Sequence, residues 1–216
     1  MKKVLLICGC IVLALAAVAG VKYFGTPGGE LKSVMVCMSG VDSVDELTSE
    51  AALIVIGSPE KDFPSCKPVI TYKGVGIFDI FYTLRNFKIE RVLKGNKELD
   101  SVEIAEPAAL IRADLLKFQK DIFALADYTP MEKGMRYLLF LKEDSGWGYI
   151  IMGIHQGKFN LDGQDALEKK AVEKNRYYQY LKVTTLEAYK NEISSEAPAT
   201  ENKAAEAAWG RIPMLS

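Results

Sequence analysis

The stretch that most constrains this chain is Gly134-Met-Arg-Tyr-Leu-Leu-Phe-Leu-Lys142, apolar almost throughout and bounded by Met131-Glu-Lys-Gly134 before it and Glu143-Asp-Ser-Gly146 after it. A run this short, this apolar and flanked by turn signals predicts a strand buried at the centre of a sheet. Its natural neighbour is Phe87-Lys-Ile-Glu-Arg-Val-Leu-Lys-Gly95, in which Phe87, Ile89 and Leu93 can face one side while Lys88, Glu90 and Lys94 face the other. Together the two predict a β core. They do not define a chemistry.

With 216 residues, 49% hydrophobic and 25% charged, the chain has room for one well-buried domain plus appendages. Lys and Arg total 27 against 28 Asp and Glu, so the clustered basic face that nucleic acid requires is not expected.

The amino terminus carries the most specific signal. After Met1-Lys2-Lys3, the segment from Val4 to Val21 has no charge and ends at Lys22-Tyr23-Phe24. Roughly 18 to 20 residues at 1.5 Å each are about the minimum to cross the hydrocarbon of a bilayer. Lys2 and Lys3 would hold the start in the cytoplasm, with the rest outside. The reading is a retained signal-anchor; the alternative is signal-peptide cleavage after Ala17-Val-Ala19, starting the chain at Gly20. A lipobox at Ile7-Cys-Gly-Cys10 is weaker, because processing there would strand Ile11 to Val21 as an apolar tail. The expected location is therefore the cell membrane, single-pass, with the domain extracytoplasmic, or secretion after cleavage.

Cys8 and Cys10 lie inside the apolar segment, where they act as small apolar side chains. Cys37 and Cys66 remain outside and either form one disulfide or stay unpaired. No metal-ligand spacing is present and His155 is the single histidine, so no metal and no cofactor are expected.

Along the chain, Gly25 to Gly29 reads as a stem and Leu31 to Met38 as an edge strand. Ser43 caps a short helix and Glu46 completes a capping box. Ala52 to Gly57 is a buried strand. From Ser58 to Gly76, with prolines at 59, 64 and 68, the chain should make an irregular excursion containing a short strand at Val69 to Tyr72. Ile77 to Leu93 reads as one long strand, bent or bulged near Tyr82 to Arg85, and Ser101 to Glu106 as the next. Leu110, Ile111, Leu115, Leu116, Phe118, Ile122, Phe123 and Leu125 recur mostly at helical steps, which predicts a helix of two to four turns within Pro107 to Met131. Trp147 to Gly153 and Ile154 to Leu161 are the last strands, and short strands with glycine corners point to a small barrel or sandwich. Asp165 to Leu181 should be a helix, with Thr184-Thr-Leu-Glu187 capping a second through Ile193. Ser194 to Ala208 has the composition of a disordered tail.

Leu47 with Ala51 to Gly57, then Phe87 to Gly95, Gly134 to Leu141 and Gly157-Lys-Phe159, follow the order seen in small membrane-associated or exported proteins of Gram-positive bacteria. These resemble the netrin and metalloproteinase-inhibitor type of OB-fold. The resemblance covers about Leu47 to Leu161. It implies a mainly β, α+β domain: a small OB-like barrel with an inserted helix and C-terminal helices, preceded by the transmembrane helix. The division expected is 1–24 membrane segment, 25–46 stem, 47–163 barrel, 164–194 helices and 195–216 tail. The inhibitors chelate a protease metal through a cysteine at the mature amino terminus, whereas cleavage after Ala19 would here expose Gly20.

No nucleophile elbow, His-Glu-x-x-His or phosphate-binding glycine loop occurs, and His155 beside Gln156 is expected to be an ordinary strand histidine, so catalysis is not expected. Glu103 and Glu106, and Asp162 and Asp165, sit at predicted strand ends and turns and read as solvated acids. The expected activity is binding of a protein or a cell-envelope polymer. OB-folds present one sheet face to extended ligands, and of the nearby aromatics Phe78, Phe81, Tyr82, Trp147 and Tyr149, the two nominated contacts are Tyr82 and Trp147. The alternative is a scaffold or accessory subunit of an envelope complex, acting through the C-terminal helices and Trp209.

Overall fold

A computed structural model describes residues 29–36, 40–74, 78–112 and 120–194. The strands are β1 (Leu31–Val34), β2 (Leu53–Pro59), β3 (Pro68–Tyr72), β4 (Phe78–Lys94), β5 (Ser101–Glu106), β6 (Ala108–Ile111), β7 (Asp121–Leu125), β8 (Tyr137–Asp144), β9 (Gly148–Ile151) and β10 (Lys158–Asn160). The helices are α1 (Val44–Glu50), α2 (Ala166–Lys174), α3 (Arg176–Ala188) and the short α4 (Lys190–Ser194).

Five strands close on themselves in the order β8, β2, β4, β5, β9 and back to β8; all neighbours are antiparallel except β5 and β9, which run parallel. The chain is thus mainly β, a closed five-stranded barrel with a few helices. The apolar run around Leu138 does form the centre of the sheet: β8 has β2 along one edge, with β10 and β9 sharing the other.

Why that run lacks an alternating pattern follows from what covers its two faces. Tyr137, Leu139 and Leu141 enter the barrel interior with Leu53, Val55, Phe87 and Ile104. Leu138 and Phe140 point outward, yet are buried with Ile54, Ile56 and Phe159 beneath Leu47 of α1 and Tyr178 and Leu181 of α3. A strand buried on both faces reads as continuous apolar sequence. The helices are therefore the outer wall of a second core.

The long strand β4 curves because it changes partners. Its first half pairs with β3, its second with β2, and β5 spans the junction from Thr83 to Lys88. The register shifts fall opposite Ile54/Val55, Ile56/Gly57 and Thr71/Tyr72, so the irregularities flank the expected 82–85 region instead of lying in it. At one shift Gly57 is required, since a Cβ there would lie 2.1 Å from the Lys88 carbonyl oxygen.

The helix expected within Pro107 to Met131 is corrected. Its described residues form β6 and β7, an antiparallel pair to which β1 adds in parallel as the edge strand. Ala108 and Leu110 face the barrel core while Ala109 and Ile111 pack with Phe81. Four consecutive buried residues thus serve two apolar faces, and the helical spacing came from merging two strands. Residues 113–119 lie outside the described residues.

The C-terminal helices also divide differently. Asn175 ends α2 and caps α3, its side chain accepting from the Tyr178 N–H at 3.0 Å. Thr184 caps nothing: it lies inside α3, its hydroxyl donating to the Tyr180 carbonyl at 2.9 Å. At α1 the cap is as expected on one side, Ser43 accepting from Glu46 N–H, but Glu46 reaches back to the Asp42 N–H.

Candidate functional site

The two nominated aromatics come together. Tyr82 lies on β4 and Trp147 in the turn between β8 and β9, and their rings stack with centroids 5.1 Å apart and planes inclined by 24°. Tyr82 is half-buried, and Trp147 keeps 37% of its surface exposed. Trp147 is held by its turn, where Asp144 Oδ1 accepts from the Gly146 and Trp147 N–H groups at 2.8 and 3.1 Å. Phe81, by contrast, is buried.

Of the two cysteines outside the apolar leader, Cys66 is a free, half-buried thiol 3.5 Å from the Asp62 carbonyl oxygen. Cys37 lies outside the described residues, as do the segment expected to span the membrane and the tail carrying Trp209. Among the described residues, no helix is long and apolar enough to cross a membrane, and no cluster of His, Cys, Asp or Glu could hold a metal.

Two of the acids expected in solvent are buried instead. Glu106 is fully buried beneath Arg85, which is itself only 1% exposed, and accepts from the Tyr128 hydroxyl and the Met131 N–H. Asp165 caps α2 through Oδ1 and accepts the Tyr137 hydroxyl on Oδ2 at 2.9 Å. Beside it Lys158, fully buried, lies 3.9 Å from Asp165 and 3.8 Å from Glu168 and sits over the Tyr128 and Tyr137 rings. Burial and neighbouring carboxylates push the Tyr128, Tyr137 and Tyr178 hydroxyls far above their usual range, so all three remain protonated donors. Strand-end position alone did not reveal these partners, because they come from segments far away in sequence.

His155 is not on a strand. It lies in the turn linking β9 to β10, following Ile154 at φ +62°, a backbone region β-branched residues rarely adopt. Its ring meets Tyr178 edge to face at 4.9 Å, and its Nδ1 is buried with no hydrogen-bond partner. His155 is one of the residues lining a cavity of about 640 Å³ between the Ala126–Thr129 loop, α2 and the start of α3. Gln156 holds the same turn to the stem, accepting from the Val41 N–H at 2.8 Å.

Burial lowers the His155 pKa, and Lys158 adds to the effect, against the opposing pull of Asp127 and the Ala126 carbonyl. An imidazole that is neutral in the folded state resists a proton which the unfolded chain accepts near about pH 6.5. The associated stability is present above that pH and is lost as pH falls from there toward the folded-state value. The urea midpoint should fall between about pH 7 and about pH 5.5, and His155→Gln should flatten that decline. An unchanged slope in the variant would place the ring in solvent.

In comparisons with known proteins, no family model and no curated protein matches this chain.

Proposed function

We propose that this chain is a membrane-tethered, extracytoplasmic binding module whose OB-like barrel presents the Tyr82–Trp147 stack to an extended cell-envelope polymer. The observation that carries the reading is the stack itself. Taken as first to fifth, β2, β4, β5, β8 and β9 close in the order of an OB-fold, whose ligands lie on the second and third strands and against the loop between the fourth and fifth. Tyr82 is on the second strand and Trp147 in that loop. The near balance of 27 basic and 28 acidic residues favours an uncharged or mixed polymer over nucleic acid. In this reading the chain performs no catalysis, and the uncharged Val4–Val21 segment tethers it.

Binding to an insoluble cell-wall fraction tests the proposal. The double substitution Tyr82→Ala/Trp147→Ala should weaken binding by about tenfold or more, as expected where paired aromatics anchor a ligand. Retained affinity in a folded double variant would remove the barrel face from the account.

A second reading rests on α3, where Tyr180 and Val183 are 62% and 63% exposed one turn apart. It makes the helices the docking surface for an envelope protein. Deletion after Gly163 cannot discriminate, because it would strip Tyr178 and Leu181 from the core. Tyr180→Ser/Val183→Ser should abolish capture of the envelope protein under this reading and leave polymer binding unchanged under the first.

A further inference from the structure

We infer that the cavity beside His155, on a different part of the chain from the aromatic stack, is a binding site for a phosphate-bearing ligand with an apolar body. Its volume, about 640 Å³, lies within the range of small-molecule sites. Lys170, Lys174 and Arg176 stand exposed at its mouth, the two lysines one turn apart on α2 and the arginine opening α3. None of the three makes an ion pair among the described residues, and Asp127 is the single acid on the wall. Three cations against one carboxylate favour a ligand of high negative charge, and the arginine fork suits phosphate oxygens.

The wall is not a random surface depression. Ala126, Asp127 and Ile154 are the non-glycine residues with positive φ among the described residues; the first two line the cavity and the third directly precedes His155. Backbone held in this region costs energy and persists where surrounding structure fixes it, commonly around ligand sites. Here the loop is fixed to β1: the Ala126 N–H donates to the Val34 carbonyl and the Asp127 N–H to Ser33 Oγ, both at 2.9 Å. Leu31 and Leu167 offer the ligand apolar contacts.

Leu31 also limits where the cavity can be. It lies seven positions beyond Phe24, a reach of at most about 25 Å. If the leader is retained as proposed above, the mouth lies within reach of lipid headgroups, so the same phosphate chemistry could belong to a soluble metabolite or to an anionic lipid.

Isothermal titration of the full chain in a nonionic detergent separates these sources. The probes are glycerol 1-phosphate, dihexanoylphosphatidylglycerol and its phosphatidylcholine counterpart. The expected result is saturable binding of an anionic probe, weakened about tenfold or more in Lys170→Ala/Lys174→Ala/Arg176→Ala and by added salt. Equal affinity for glycerol 1-phosphate and the short phosphatidylglycerol supports a soluble phosphate ligand; preference for the latter supports a lipid. Failure of all probes to bind, or binding indifferent to the triple substitution in a protein with unchanged thermal midpoint, overturns the site. Cell-wall capture through Tyr82 and Trp147 should be unaffected by the triple substitution, so the two proposals fail independently.

Discussion

Glu106→Ala should destabilise the domain by about 3 to 5 kcal/mol, the usual consequence of leaving one member of a buried ion pair alone. Arg85 Nη1 donates to Glu106 Oε2 at 2.8 Å and to the Met131 carbonyl at 2.7 Å, and Nη2 reaches the Lys61 carbonyl. Glu106 Oε1 takes the Tyr128 hydroxyl at 2.7 Å and the Met131 N–H at 2.6 Å. One carboxylate thereby joins β4 and β5 to the segment leading into β8, while the arginine adds the excursion after β2. With the carboxylate gone, the guanidinium stays buried and uncompensated. A domain of ordinary stability, about 5 to 15 kcal/mol, would lose from about a fifth to all of it. Urea denaturation measures the loss. Arg85→Met/Glu106→Leu should lose markedly less than the single variant, because it leaves no orphan charge. A single variant within about 0.5 kcal/mol of wild type, the range of surface substitutions, would mean the pair is solvated.

Phe140→Ala is the second large effect, also about 3 to 5 kcal/mol from lost burial and the cavity left behind. Phe140 is fully buried and meets Phe159 at 6.0 Å and Tyr189 at 5.5 Å, both edge to face. It faces the helices and not the barrel interior, so its loss should loosen α3 and the end of the helical layer first. Hydrogen exchange would show this as faster exchange in 176–189 than in β2 or β4. A loss below about 1 kcal/mol would make β8 peripheral.

Much of the barrel was legible because its strands carry local signals. The apolar run of β8, the β-branched run of β2, the length of β4 and the turn at Gly95 each fix an element within a few residues. What the sequence obscured was non-local. The β6 and β7 pair imitates a helix because Ala108 to Ile111 is buried on both faces, a pattern periodicity cannot separate from a helix segment. Glu106 and Asp165 looked like solvated acids because Arg85 and Tyr137, which bury them, are distant in sequence. Neighbouring polar and glycine residues are the signal behind Tyr82 and Trp147, of which Trp147 is exposed and Tyr82 half-buried. It could not have shown that the two rings stack. The cavity at His155 left no trace beyond the histidine itself, since its wall is drawn from four separate stretches of the chain.

The most direct test of the binding face uses Trp147 as its own reporter. The chain has two tryptophans, so Trp209→Phe leaves the emission to Trp147. Titrating this protein with solubilised cell-wall polysaccharide should shift or quench that emission saturably, at the same midpoint as cell-wall capture, and Tyr82→Ala should move the midpoint to higher concentration. Capture of the polymer with Trp147 emission unchanged throughout would contradict the account, placing the ligand away from the barrel face.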